Sequence, residues 1–141
     1  MEIATFETKC HCGYTFDLPE LSDMSYGEFL YFDSSGNGAR YLCAINNQTW
    51  EYISTIIDSE LKDTSLTKGI IIRNTLGEIA DKININTTYV QKGVCPKCNS
   101  FVNSNTEIKK GIMEVEEMSF KQFQKYTDSE KRRIVTEFIK L

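Results

Sequence analysis

Lys9-Cys10-His11-Cys12-Gly13-Tyr14-Thr15-Phe16, near the start of the chain, and Val94-Cys95-Pro96-Lys97-Cys98-Asn99, well past its middle, are the stretches on which the fold turns. Each sets two thiols close enough in sequence for one turn or strand edge to present both sulfurs to a single ion, and four thiolates close a tetrahedral zinc shell. If both pairs hold one metal, residues 13–94 are an insertion between the halves of one site. Everything after Cys98 then leaves from the second half.

These stretches resemble the two knuckles of zinc-ribbon (rubredoxin-like) domains. Glycine follows the second thiol of the first pair and leads into an aromatic strand; proline follows the first thiol of the second pair, and the turn-tolerant Asn99 follows the last. The resemblance implies an antiparallel ribbon around a structural zinc ion held by Cys10, Cys12, Cys95 and Cys98. The chain departs from the ribbon pattern twice. Its first pair is C-x-C where the ribbon has C-x-x-C, and 82 residues separate Cys12 from Cys95, where about 15–20 are usual. The long gap does not exclude the pairing. Lengthening a loop from about 20 to about 80 residues costs roughly 1.2 kcal/mol of closure entropy, against about 10–16 kcal/mol of apparent binding energy for a structural zinc. On an extended strand residues i and i+2 share a face, so Cys10 and Cys12 are expected on a strand edge with His11 turned away into solvent.

Other uses of the thiols fit less well. Disulfide scaffolds belong to short secreted chains with an apolar leader, whereas Met1-Glu2-Ile3-Ala4-Thr5-Phe6-Glu7 is acidic, and the expectation is a reducing, cytoplasmic setting. A thioredoxin-type Cys95/Cys98 couple needs a helix starting at the pair to lower a thiol pKa, but residues 99–105 read as a turn and short strand. Iron suits the same four thiolates and stands second to zinc. Cys43, between Leu42 and Ala44, reads as a small buried hydrophobe.

The 141 residues, 40% hydrophobic and 26% charged, suit one domain or two small units sharing a core. No run approaches the roughly 18 apolar residues of a membrane span. The net charge of −4 is uneven: residues 1–40 carry seven acids against two bases, 41–106 six of each, and 107–141 seven acids against eight bases. Such a chain repels phosphate backbones except at a local basic patch. Lys121, Lys125, Lys131, Arg132 and Arg133 are the concentration that would have to supply one.

Residues 2–8 and 14–18 read as paired strands of the first ribbon half, and Pro19-Glu20-Leu21-Ser22-Asp23 breaks regularity where the insertion opens. Runs over 29–33 and 39–45 flank Ser34-Ser35-Gly36-Asn37-Gly38, a hairpin turn with glycines where φ > 0 is needed. With no Gly-Lys-Ser/Thr behind it, this turn is not a phosphate-cradling loop. Asn46-Asn47-Gln48-Thr49 supplies caps for a helix over 50–61 that carries Trp50, Ile53, Ile56/Ile57 and Leu61 on one face. A connector over 63–66 leads to a second helix from Thr67 to Ile83, and a strand over 88–94 enters the second knuckle. Residues 106–118 read as one long strand that sets Glu114 and Glu116 on one solvated face. Ser119 is expected to cap a short helix carrying Phe120, Phe123 and Tyr126. Thr127-Asp128-Ser129-Glu130 is a capping box for the last helix. The predicted fold is α+β: zinc-ribbon (antiparallel β) halves at 1–18 and 87–118, an inserted β-hairpin plus two helices at 19–86, and a C-terminal helical pair at 119–141.

His11 is the single histidine. With four cysteines committed to metal, no base, nucleophile or open metal position is visible, so no catalytic residues are expected. The expected function is a zinc-stabilised protein-interaction or adaptor module that contacts a protein partner or a second copy, without a membrane. A nucleic-acid-associated zinc ribbon is the alternative, by fold-level analogy and against the net charge. The contact face is expected among Tyr26, Tyr31, Tyr41 and Tyr52 or among Phe120, Phe123 and Tyr126.

Overall fold

The computed structural model describes residues 1–21, 26–61, 65–103 and 108–139. Ser22 and Asp23 of the expected break, Asp63 and Thr64 of the connector, Ser104 and Asn105 of the expected turn, and Thr106 and Glu107 of the expected long strand lie outside the described residues. The structure is mixed α+β and divides into two compact units, Met1–Cys43 with Lys82–Met118, and Ala44–Asp81 with Ser119–Leu141. The hairpin therefore shares a unit with the cysteine-bearing strands.

The strands of the first unit are β1 (Glu2–Lys9), β2 (Thr15–Pro19), β3 (Glu28–Asp33), β4 (Ala39–Cys43), β5 (Tyr89–Val90), β6 (Gly93–Val94), β7 (Phe101–Val102), β8 (Lys109–Glu114) and β9 (Glu116–Glu117). β1 lies between β2 and β8, antiparallel to both. β3 lies between β5 and β4, β9 runs parallel along the far side of β4, and β6 and β7 make a separate antiparallel pair. Ile3, Leu18, Phe32, Ala39, Tyr41, Val94, Val102 and Val115 form one apolar core that also contains Cys10 and Cys95. One thiol of each knuckle is thus built into the core, which fixes where the knuckles start.

The hairpin turn is held from within. Asp33, buried at the end of β3, bonds through its N–H to the Gly38 carbonyl (2.9 Å), and its carboxylate accepts the Ser35 N–H (3.1 Å) and the hydroxyls of Ser35 and Thr87. Gly36 adopts φ of 80°, and a Cβ there would stand 2.7 Å from the Pro96 Cα and 2.9 Å from the Cys95 carbonyl carbon. No real side chain tolerates that approach, so glycine is required where the turn rests on the second knuckle.

Two expected strands are each broken in two. The run over 88–94 becomes β5 and β6, with a bend at Gln91 and Lys92, because its halves pair with different sheets. The run over 106–118 becomes β8 and β9. Between them Val115 buries its side chain in the core and donates its N–H to the Met1 carbonyl (2.8 Å), and the chain crosses from the β1 sheet to the β4 sheet. Glu114 and Glu116 consequently lie on different strands, each with its own partner. Glu114 meets the amino group of Met1 (2.6 Å) and Glu116 meets Arg40 (3.6 Å).

The second unit holds α1 (Gln48–Glu60), α2 (Ser65–Ile79), α3 (Lys121–Gln124) and α4 (Asp128–Ile139). Asn47 caps α1 by accepting the Trp50 N–H at 2.9 Å, and Thr49, Ile53, Ile56 and Ile57 are buried while Trp50 is half-buried at the rim. α2 stops at Ile79 rather than Ile83; Ile72, Thr75 and Leu76 are buried along it and Ala80 just beyond its end. The capping box of α4 forms as the sequence predicts: Glu130 donates its N–H to the Thr127 hydroxyl (3.2 Å) and accepts from the Thr127 N–H (3.3 Å). The expected Ser119 cap of α3 does not form. The cap is Asp81, whose carboxylate accepts the Ser119 hydroxyl (2.7 Å) and the N–H groups of Lys121 (2.9 Å) and Gln122 (3.1 Å). Burial alone would raise the Asp81 pKa; these three hydrogen bonds outweigh it and lower it.

Candidate metal centre

The first knuckle begins where β1 ends, and residues 11–13 are a turn. The Gly13 N–H bonds to the Cys10 carbonyl and the Cys10 N–H to the Tyr14 carbonyl, both at 2.9 Å, and Gly13 takes φ of 92°. At the second knuckle the Asn99 N–H bonds to the Cys95 carbonyl and the Cys95 N–H to the Ser100 carbonyl, again both at 2.9 Å, with Asn99 at φ of 62°. The two turns are the same device, the first shorter by one residue. The strand-edge placement expected for Cys10 and Cys12 is therefore replaced by a turn. The physical reason is reach: positions i and i+2 of a strand are about 6.6 Å apart, whereas sulfurs sharing an ion at about 2.3 Å in a tetrahedron are about 3.8 Å apart.

The sulfurs converge accordingly. Cys10 Sγ lies 3.4 Å from Cys98 Sγ and Cys12 Sγ lies 3.8 Å from Cys95 Sγ, each contact running from one knuckle to the other. All four sulfurs fall within 4.8 Å of one another, and none is in a disulfide. The spacing and the all-thiol donor set fit a tetrahedral zinc or iron shell, in which four protein ligands leave no position for water. In each knuckle the first cysteine is buried and the second exposed, so the cluster has a core side and a solvent side.

The thiols differ in acidity. The Cys12 N–H favours the Cys10 thiolate, but burial and the neighbouring sulfurs of Cys98, Cys12 and Cys95 outweigh it and push Cys10 up to about 12. The Ser100 hydroxyl and N–H, with help from Cys10, hold Cys98 down at about 6. Sequence reasoning missed Ser100, whose only signal is its place two residues after the last cysteine. It also missed Gly36 as a support of the second knuckle, because a hairpin glycine carries no sign of what it lies against.

His11 is exposed, yet its Nδ1 stands 3.6 Å from Cys10 Sγ. Cys43 lies outside the cluster, half-buried against the core. Of the five cations in the candidate basic patch, Lys121 acts on the Asp81 carboxylate and three more are engaged. Lys131 Nζ sits 5.3 Å from the Tyr52 ring centre and 5.8 Å from that of Phe123. Arg132 bonds to Ser59 (2.9 Å) and Glu60 (3.2 Å), and Arg133 to Glu137 (3.4 Å). The aromatic groups expected to form a contact face are mostly core: Tyr31, Tyr41, Phe120 and Phe123 are buried, and Tyr41 donates its hydroxyl to Glu28 at 2.6 Å. Tyr26 and Tyr126 remain exposed. No helix among the described residues is long and apolar enough to cross a membrane.

Compared with protein-family models, curated proteins and solved structures, the chain matches none of them.

Proposed function

We propose that this chain is a zinc-stabilised interaction module, in which one structural ion joins two knuckles distant in sequence and the scaffold so fixed acts by contact rather than by catalysis. Cys10, Cys12, Cys95 and Cys98 hold the ion, which supplies a rigid cross-link between the end of β1 and the β6–β7 pair. The observation that carries this reading is the convergence of four sulfurs from two turns of one design. A closed all-thiolate shell offers no site for substrate or water, which is why the reading is structural. Elemental analysis of reduced protein purified without chelator tests it, with one zinc per chain expected. Stoichiometric iron would keep the site and change its metal, and neither metal would overturn the reading. Cobalt exchange should give the visible spectrum of a tetrahedral thiolate site and lose it in Cys95→Ser.

A further inference from the structure

β8 is an edge strand: among the described residues no strand lies on its side away from β1. We propose that β8 pairs antiparallel with β8 of a second copy of this chain, about a two-fold axis at Ile112, so that the two β2–β1–β8 sheets become one. The inference supplies the partner for the contact reading above and rests on it, but uses none of the four cysteines.

Three observations converge on that axis. The edge exposes apolar side chains between its charged ends, Ile112 at 62% and Met113 at 37%, and exposed apolar residues on an edge favour recruitment of another strand. The Val115 N–H bonds to Met1 across the ladder, so by antiparallel alternation Met113 and Gly111 face β1, while Ile112 and Glu114 present their N–H and C=O groups outward. An axis at Ile112 therefore creates a hydrogen-bonded pair where donors and acceptors already point. Finally, the register shift between Thr5 and Phe6 brings Lys109, Ile112 and Glu114 onto one face, opposite Phe6, Ala4 and Glu2. That face is positive at one end, negative at the other and apolar between.

Charged side chains, lysine above all, commonly guard an edge against pairing, and this one carries Lys109, Lys110 and Glu114. Here the two-fold axis places Lys109 of each copy beside Glu114 of the other and stacks Ile112 on Ile112, whereas a parallel arrangement would oppose like charges. Lys109 makes no ion pair within its own chain among the described residues. Glu114 faces Glu2 across the ladder and already holds the Met1 amino group at 2.6 Å, so Lys109 of a second copy would be its second cation.

Sedimentation equilibrium on the full chain, with zinc content measured on the same samples, tests the proposal. Wild-type protein should show a monomer–dimer equilibrium. Lys109→Glu and Glu114→Lys should each weaken it by about tenfold or more, since two symmetric pairs turn repulsive. Mixing these two variants should restore a dimer, because each copy then offers the charge the other lacks. Both sites are exposed, and circular dichroism verifies folding. A wild-type monomer at all concentrations, single variants that dimerise like wild type, or a mixture no tighter than its components would each overturn the edge pairing. Zinc retained in those samples would leave the metal reading standing, and zinc absent from a dimeric protein would sink the metal reading alone.

Discussion

The two knuckles reach the same end with different amounts of chain. Each starts on a buried cysteine whose N–H and C=O close the turn, places its second cysteine in solvent, and then needs a residue that accepts positive φ: Gly13 in the first, Asn99 in the second. They differ in support. A Cβ on Gly13 would meet nothing within 4 Å, whereas the second knuckle carries the hairpin turn at Gly36 against its backbone. The first is a short turn on the end of a long strand; the second is a longer turn between two-residue strands, braced from outside. The first is anchored by the strand that leads into it, the second by the hairpin turn packed on its backbone.

The largest effects should separate the buried from the exposed thiols. Cys10→Ser and Cys95→Ser should lower metal-bound stability by several kcal/mol, losing a ligand and leaving a hydroxyl in the core. Cys12→Ser and Cys98→Ser should weaken metal binding while lowering the melting temperature less. Chelator competition and thermal melts on the four variants would check this, and equal losses would erase the distinction. Next in size is Gly36→Ala, which adds strain at φ of 80° to a backbone clash at 2.7 Å and should cost about 2–4 kcal/mol in chemical denaturation. Gly13→Ala carries the strain without the clash and should cost about 1–2 kcal/mol; a cost as high as that of Gly36→Ala would show that the bracing is not what separates the knuckles. Smaller still, Asn99→Gly should be neutral within about 0.5 kcal/mol and Asn99→Ala should cost about 1 kcal/mol.

The smallest effect is a proton count. On zinc uptake at pH 7, Cys98, held at about 6, is already ionised and releases almost nothing, while Cys10, at about 12, releases a whole proton. Calorimetry in buffers of different ionisation enthalpy would read this, and four protons released would contradict it. In the metal-free protein the two thiols act oppositely. Cys98 lies below its ordinary 9.0, so its contribution is present above that pH and lost as pH falls through about 6. Cys10 lies above 9.0, so its contribution is full below that pH and lost as pH rises toward about 12. Together they favour the metal-free fold most near pH 9.0.

Signals confined to a few neighbouring residues were readable in the sequence. The Asn47 cap, the Thr127–Glu130 capping box and the hairpin glycines each act over at most four positions, and each appears where the residues placed it. The pairing of Cys10 and Cys12 with Cys95 and Cys98 was readable for a different reason, the chemistry of the donor set. Illegible features were those decided by partners far along the chain. Asp81 displaces Ser119 as the cap of α3 from about 40 positions away. Val115 divides an apparently continuous strand because two sheets compete for its ends. The turn at Cys12 followed from the reach of four sulfurs, which a period-2 pattern does not encode.

The distance between the knuckles has a consequence during synthesis. Cys98 follows Cys12 by 86 residues, so at about 5–20 residues per second the second pair of thiols leaves the ribosome roughly 4–17 s after the first. β8, which completes the sheet around β1, comes later still. Through that interval the nascent chain displays half a metal site, two thiols open to oxidation or to capture by another soft ion. The helical segment of α1 and α2, whose contacts are local, can close in the meantime. The first unit is therefore assembled only after β8 and β9 have been made, and a chain truncated before Cys95 would never acquire the cross-link.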